Sequence, residues 1–364
     1  MWSRFVQLIK SSRLAQVVLV GIIGLAVGVT VFVLSSEPTE PTVPETTTSS
    51  TSTTPETTTT TTETSTTAVT GATSQLNGLP VDDPSLLARR VLAVKIDNHP
   101  DARPQSGIDQ ADLVFEYMAE GVTRFNSLWL QSEAEYLGPM RSGRPTDQTI
   151  LAAFNEPTLA ISGGQSWVQD MIRSVGIHLI GEVRPATFRV PGRRAPHNLF
   201  TNTVLLREQA DSLGYPDEPL EGPIWDFGEM AEDAALAGSV DIDFAGNLVN
   251  WTWDEATGTW LRSVDGDQPS NWSDEEGEET QIGFPVLVAL YVEQTTVGSL
   301  PTSLTAGAGQ ALVFADGKVA RGTWEREDEF EWFRLTDASG NTIPVPAGKV
   351  WISLVPNDSV LTYE

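Results

Sequence analysis

This 364-residue sequence predicts an α+β fold in two parts, preceded by one transmembrane helix and a disordered stalk, and three observations carry that reading. Residues 77–212 mix short β-branched runs with helical periodicity, the texture of a layered α/β domain with a mixed sheet. Residues 241–364 alternate apolar positions with Gly, Asp and Pro turns, which predicts a mostly β domain beyond a connector at 213–240. The charge divides in the same place. Of a net −27, residues 77–212 carry only −3 while holding 13 of the 22 Lys and Arg, whereas 213–364 carry −22.

The run from Leu14 to Leu34 (LAQVVLVGIIGLAVGVTVFVL) is almost unbroken in apolar character, and at 1.5 Å per residue it just spans a hydrocarbon core. Arg4, Lys10 and Arg13 precede it and no Lys or Arg follows until Arg89, so the positive-inside bias leaves 1–13 in the cytoplasm. Everything after Leu34 is then extracellular, on a single-pass anchor in the plasma membrane. A cleaved signal peptide ending near Ala26-Val27-Gly28 is the rival reading, and the continuation of the apolar run through Leu34 weighs against it.

Residues 35–76 are Thr, Ser, Pro and Glu with hardly any large apolar side chain, too little burial to offset chain entropy. Such a stalk averages about 35 Å end to end and stretches to about 140 Å. Its Thr and Pro density resembles O-glycosylated stalks, and a bare polar spacer fits equally well.

Residues 90–97 (RVLAVKID) read as a buried strand, and 112–120 and 123–131 as two strands around Gly121. Helical periodicity at 146–154 and 167–175 flanks a short apolar run at 157–162 closed by Gly163-Gly164. Residues 247–262 (NLVNWTWDEATGTWLR) carry a hairpin signature around Thr257-Gly258. Further strands are expected at 284–293, 309–314, 318–324, 330–335 and 349–354.

Strong acidity excludes modes that need a positive footprint, so no nucleic acid partner is expected. The absence of cysteine removes thiol catalysis, thiolate metal sites, disulfides and lipid attachment through cysteine together.

Several stretches resemble a known family, the YerB-like bacterial cell-surface proteins that carry a two-part domain of unknown function, DUF3048. The motifs are DNHPDARPQSG at 97–107, ADLVFE at 111–116, EGVTRF at 120–125, GPMRSGR at 138–144 and APHNLFT at 195–201. GAGQALVFADGKVARG at 307–322 and PAGKVW at 346–351 resemble the second half. The resemblance covers about Leu92 to Pro356 and implies location outside the membrane with a layered α/β architecture, but no established reaction. Many members look like lipoproteins. This chain departs from them in having no cysteine and a membrane helix instead.

Seven arginines, Arg103, Arg124, Arg141, Arg144, Arg189, Arg193 and Arg194, fall in the nearly neutral part. Facing Asp97, Asp112, Glu116 and Glu120, they form either a structural ion-pair network or an anion pocket, since guanidinium binds carboxylate and phosphate bidentately. Arg141-Ser142-Gly143-Arg144 is the best anion candidate, because the amides of its small turn could also face an oxyanion. Asp97, His99 and Asp101 alternate, and in an extended chain would share one side in a metal or acid/base spacing. Pro100 and Pro104 argue for a loop with Asx capping instead, so no metal and no cofactor is expected. His197, beside Arg193 and Arg194, is either a base or a capped loop residue. Ser162 to Ser166 lacks the nucleophile-elbow pattern of serine hydrolases. Trp251, Trp253 and Trp260 would share a strand face, as a sugar platform or as core.

The expectation is therefore a membrane-anchored extracytoplasmic module that binds an anionic or carbohydrate envelope component, with Arg103, Arg124, Arg141, Arg144, His197 and Asn198 around the pocket. One alternative is a wall-acting hydrolase using Asp97, Asp101 or Glu116 with His197. Another is a protein-interaction module presenting the acidic second half. The sequence does not fix an oligomeric state.

Overall fold

The structure, a computed structural model, describes residues 71–266 and 268–364. The expected anchor from Leu14 to Leu34 and the stalk up to residue 70 lie outside the described residues. The stalk was expected to run to residue 76, but Ser74 and Leu76 are buried and Thr73 bridges Pro80, so the folded part begins earlier. Leu76 is what ends the polar texture: it is a core residue. Among the described residues no helix is long and apolar enough to cross a membrane.

The first half contains β1 (Leu92–Ile96), β2 (Leu113–Ala119), β3 (Val122–Trp129), β4 (Thr158–Ala160), β5 (His178–Ile180), β6 (Thr187–Arg189) and β7 (Leu199–Thr201). Its helices are α1 (Pro145–Leu151), α2 (Ser166–Arg173) and α3 (Thr203–Ser212). The second half adds β8 (Ala235–Leu236), β9 (Ser239–Phe244), β10 (Asn247–Asp254), β11 (Thr259–Val264), β12 (Gln268–Pro269), β13 (Asn271–Ser273), β14 (Glu279–Gln281) and β15 (Gly283–Phe284). It continues with β16 (Val286–Val297), β17 (Leu300–Leu304), β18 (Gly307–Ala315), β19 (Lys318–Arg326), β20 (Arg334–Thr336), β21 (Val350–Pro356) and β22 (Val360–Tyr363). The fold is thus sheet-rich and mixed with few helices, as expected in outline.

The two expected parts, 77–212 and 241–364, are joined through a shared sheet. One large sheet runs β20-β19-β18-β16-β21-β2-β3-β1-β4-β5 and takes strands from both halves. The seam is β21, parallel to β16 on one side and to β2 on the other. Every residue of β1 and β21 is buried, because both sheet faces are covered, and this is why their sequences are apolar runs interrupted only by Lys95 and Ser353 rather than alternating ones.

Period-2 alternation sorts those side chains between two cores. Ala93, Leu113, Phe115 and Tyr117 meet Ile150 and Leu151 of α1 and Val168 and Ile172 of α2. Leu92, Val94, Ile96 and Val114 meet Val240, Ile242, Trp251 and Trp260 of a smaller sheet, β12-β11-β10-β9-β22. The result is three layers, helices over large sheet over small sheet. The predicted hairpin is β10 and β11, with Trp253 opposite Trp260 and Gly258 supplying the left-handed turn residue at φ +66°.

Candidate functional site

The layering places chemistry on neighbouring residues of one strand. Along β2, Glu116 faces the small sheet and Tyr117 faces the helices, so each meets a different buried partner. Glu116 accepts from Arg262 Nη2 at 2.7 Å, from Thr123 Oγ1 at 2.7 Å and from Trp351 Nε1 at 3.1 Å, fully buried. Tyr117 joins Lys95 and Asp147, with Lys95 Nζ 3.0 Å from Asp147 Oδ1 and Asn126 Nδ2 donating to the same oxygen at 3.1 Å. Burial pulls Lys95 down to about 8, against the opposing pull of Asp147. Glu116, a candidate acid, is therefore a sealed structural carboxylate and not a group that a substrate reaches.

Asp97 is different. It follows β1 directly, its amide donates to Pro139 O, and its carboxylate is fully buried at the end of the sheet. Oδ1 accepts the amide of His99 at 3.0 Å and stands 3.4 Å from Arg124 Nη1. Oδ2 is 2.8 Å from His197 Nδ1 and 3.3 Å from Arg141 Nε. Three of the predicted residues, Arg124, Arg141 and His197, thus converge on a fourth, Asp97. His197 comes from the loop before β7, 100 residues away in sequence, which no local pattern could show.

The two arginines are held differently. Arg124 sits on β3 opposite Tyr117, only 6 % of its side chain exposed, and burial lowers its guanidinium while Asp97 raises it. Arg141 lies in an extended segment between β1 and β4, its amide donating to Lys95 O at 2.8 Å and its carbonyl accepting from Ser162 N at 3.0 Å. Its side chain is 23 % exposed, and among the described residues Nη1 and Nη2 have no protein partner and are not sealed from solvent.

Arg144 lies beside this pair and donates from Nε to Glu120 Oε2 at 2.9 Å and from Nη1 to Gly143 O at 2.9 Å. The expected oxyanion nest of the 141–144 turn is absent. The Gly143 amide donates to Gly163 O and the Arg144 amide to Asp147 Oδ2 at 2.7 Å, capping α1. Arg103 and Asn198 do not reach Asp97. Arg103 donates to Asn98 Oδ1 at 3.2 Å and lines a groove of about 340 Å³ with Asp265, Asn271 and Glu279. Asn198 accepts from Arg189 Nη1 at 2.8 Å and donates to Arg193 O at 3.2 Å, which makes it a loop brace.

The alternation of Asp97, His99 and Asp101 is not an extended one. Pro100–Ala102 forms a 3₁₀ turn that buries Asp97 and leaves Asp101 exposed. The Asp101 amide caps onto His99 Nδ1 at 3.2 Å, and the His99 ring stacks on His197 with centroids 4.9 Å apart. Arg193, expected beside His197, turns away and donates to Ala102 O and Pro104 O. Trp251 and Trp260 are fully buried against Trp351 and Phe314, so they are core rather than a sugar platform. Sequence reasoning passed over Lys95 and Asp147, and a lysine inside an otherwise apolar strand was the available signal.

The domain described as "Protein of unknown function (DUF3048) N-terminal domain" matches residues 76–216, and its C-terminal counterpart matches residues 240–352. The chain belongs to the DUF3048 family. Among DUF3048 relatives, "Putative lipoprotein YerB" of Bacillus subtilis (strain 168) is 27 % identical over 297 residues, 78 % of this chain and 86 % of that protein. The crystal structure of the YerB protein from Bacillus subtilis has the same fold at a TM-score of 0.68 and 23 % identity, over 80 % of this chain and 99 % of that one. The N-terminal DUF3048 match contains the whole Asp97 cluster, and the C-terminal match ends at residue 352, within the first half of β21.

Proposed function

We propose that this DUF3048 protein is a membrane-anchored, extracytoplasmic binding module for an anionic component of the cell envelope, with Arg141 as the primary contact and Arg124, Arg144 and His197 around it. The observation that carries the reading is that two guanidinium groups share the single carboxylate of Asp97, while the terminal nitrogens of Arg141 remain open to solvent. One cation is left uncompensated at that pair, and a planar fork with two free donors suits a carboxylate or phosphate oxygen pair. The carbohydrate half of the expectation has lost its aromatic platform, so charge rather than stacking is the recognition chemistry. The apolar run from Leu14 to Leu34 and the lipoprotein name of the relative from Bacillus subtilis support the location.

The test is calorimetric titration of the purified full chain with anionic wall glycan fragments. Arg141→Ala is expected to weaken binding at least about 10-fold, the scale of a lost charge-assisted contact, and Asn198→Ala to leave it unchanged. Absence of saturable binding, or an Arg141→Ala chain that binds as well as the parent, overturns the reading.

A further inference from the structure

The geometry points to a divalent transition-metal site formed by His99, Asp101 and His197, with Asp97 holding one of its ligands in place. A ring nitrogen of each histidine and a carboxylate oxygen of Asp101 lie within 4.8 Å of one another. His99 Nδ1 carries the lone pair of its ring, which here accepts the Asp101 amide at 3.2 Å, so an ion bound at Nδ1 would take the place of that hydrogen bond; the same nitrogen stands 3.7 Å from Asp101 Oδ2. Two ligands bound tetrahedrally at about 2.0–2.2 Å sit about 3.4 Å apart, so this pair is already near ligand spacing.

His197 would join the set through its second nitrogen, the one that Asp97 leaves free. Nδ1 is 2.8 Å from the buried Asp97 Oδ2, and in the neutral ring the hydrogen bond assigns the proton to Nδ1. Nε2 then carries the free lone pair, has no protein partner among the described residues and is not sealed from solvent. A carboxylate that accepts from the far nitrogen of an imidazole is the arrangement that orients ligating histidines and raises their basicity. Here that carboxylate also accepts the His99 amide, so one buried group fixes the ring of one histidine and the backbone of the other.

The remaining ligands can close. Asp101 is 69 % exposed at its side chain and His99 40 %, so drawing them inward by about 1 Å disturbs no packed core, and the same exposure gives an ion its entry path. Two imidazoles and one carboxylate suit zinc and its first-row neighbours rather than calcium or magnesium, and three protein ligands leave a position for water or an anion. Asp97 stands between this set and the cations Arg124 and Arg141, offsetting their repulsion of a dication.

The site shares His197 and its support Asp97 with the anion reading, and a test with metal alone keeps the two readings distinguishable. Calorimetric titration of the full chain with Zn²⁺, in buffer free of chelating anions, should give one saturable site, and Co²⁺ should show the visible absorption of a low-coordinate complex. His99→Gln, at a half-exposed position that leaves folding intact, should weaken Zn²⁺ by at least about 10-fold, and Asp97→Asn by about 10–100-fold, the usual cost of losing such a supporting partner. Circular dichroism checks that each variant is folded. Zn²⁺ binding that is absent, or that survives both His99→Gln and His197→Gln as adventitious capture by the acidic loops, overturns the proposal.

Discussion

Arg262 and Glu116, 146 residues apart in sequence, form an ion pair at 2.7 Å with both side chains fully buried. Arg262 belongs to the small sheet and Glu116 to the large one, so the pair ties two layers together. The guanidinium lies over Phe125, Trp351 and Trp251 at 5.3, 5.4 and 5.9 Å from their ring centres, an apolar cage that excludes water. Removing one partner strands the other charge in that cage. Arg262→Ala should therefore lower unfolding free energy by about 3–5 kcal/mol, read by chemical denaturation of the full chain. The double change Glu116→Leu with Arg262→Met should cost much less, and a single-variant loss below about 1 kcal/mol contradicts the argument.

Trp251 packs edge-on against Trp351 at 5.2 Å. Trp251→Ala is expected to cost about 3–5 kcal/mol through the cavity it leaves, whereas Trp253→Ala, at a half-buried position, should cost clearly less. Equal losses in thermal denaturation would show that Trp251 is not the core residue its burial indicates.

Gly322 on β19 has no room for a side chain. A Cβ there would overlap the carbonyl oxygen of Thr336 on β20 and the Cδ1 of Ile343. Gly322→Ala must push those strands apart and should cost about 1–3 kcal/mol. Gly181→Ala, where a Cβ meets nothing within 4 Å, should stay within about 0.5 kcal/mol of the parent.

Burial raises Asp109 to about 6, only partly offset by Lys349, and its Oδ1 has no hydrogen-bond partner. The folded state therefore binds more protons than the unfolded chain between about pH 4 and 6, and stability falls as pH rises through that window. Asp109→Asn should gain about 1–2 kcal/mol at pH 7 and nothing at pH 3.5, allowing for partial exposure. Denaturation midpoints compared at the two pH values decide it, and an equal effect at both would remove Asp109 as the cause.

What the sequence made legible was local. β1, β2 and β3 could be read because short runs dominated by β-branched, aromatic and other apolar residues around Gly121 and the 97–107 loop signal strands, and the β10–β11 hairpin because alternation and Gly258 announce it. Helix α3 was within reach, since Asn202 caps it by accepting from Leu205 N, but its apolar face is weak. β20 begins four residues later than the expected strand at 330–335, because Phe330 and Glu331 stay in the preceding turn. The site was only half legible. Arg124, Arg141, His197 and Asp97 stood out as residues, yet their meeting depends on contacts between segments up to 100 residues apart. Arg103 and Asn198 came from the same motifs and were drawn instead to nearby backbone and amide partners, which sequence spacing does not rank.

The position of β21 also bears on how the molecule can be made. It lies in the middle of the large sheet, between β16 and β2, although it follows every other strand of that sheet along the chain. A growing polypeptide can assemble the β2-β3-β1 unit early, but β2 and β16 must wait with bare edges until residues 350–356 arrive. Such edges invite pairing with other chains, and a contact spanning more than 230 residues is slow to form. Closure of the sheet comes last, so any chain released before residue 350 is synthesised will be an open sheet, a target for proteases and for its own neighbours.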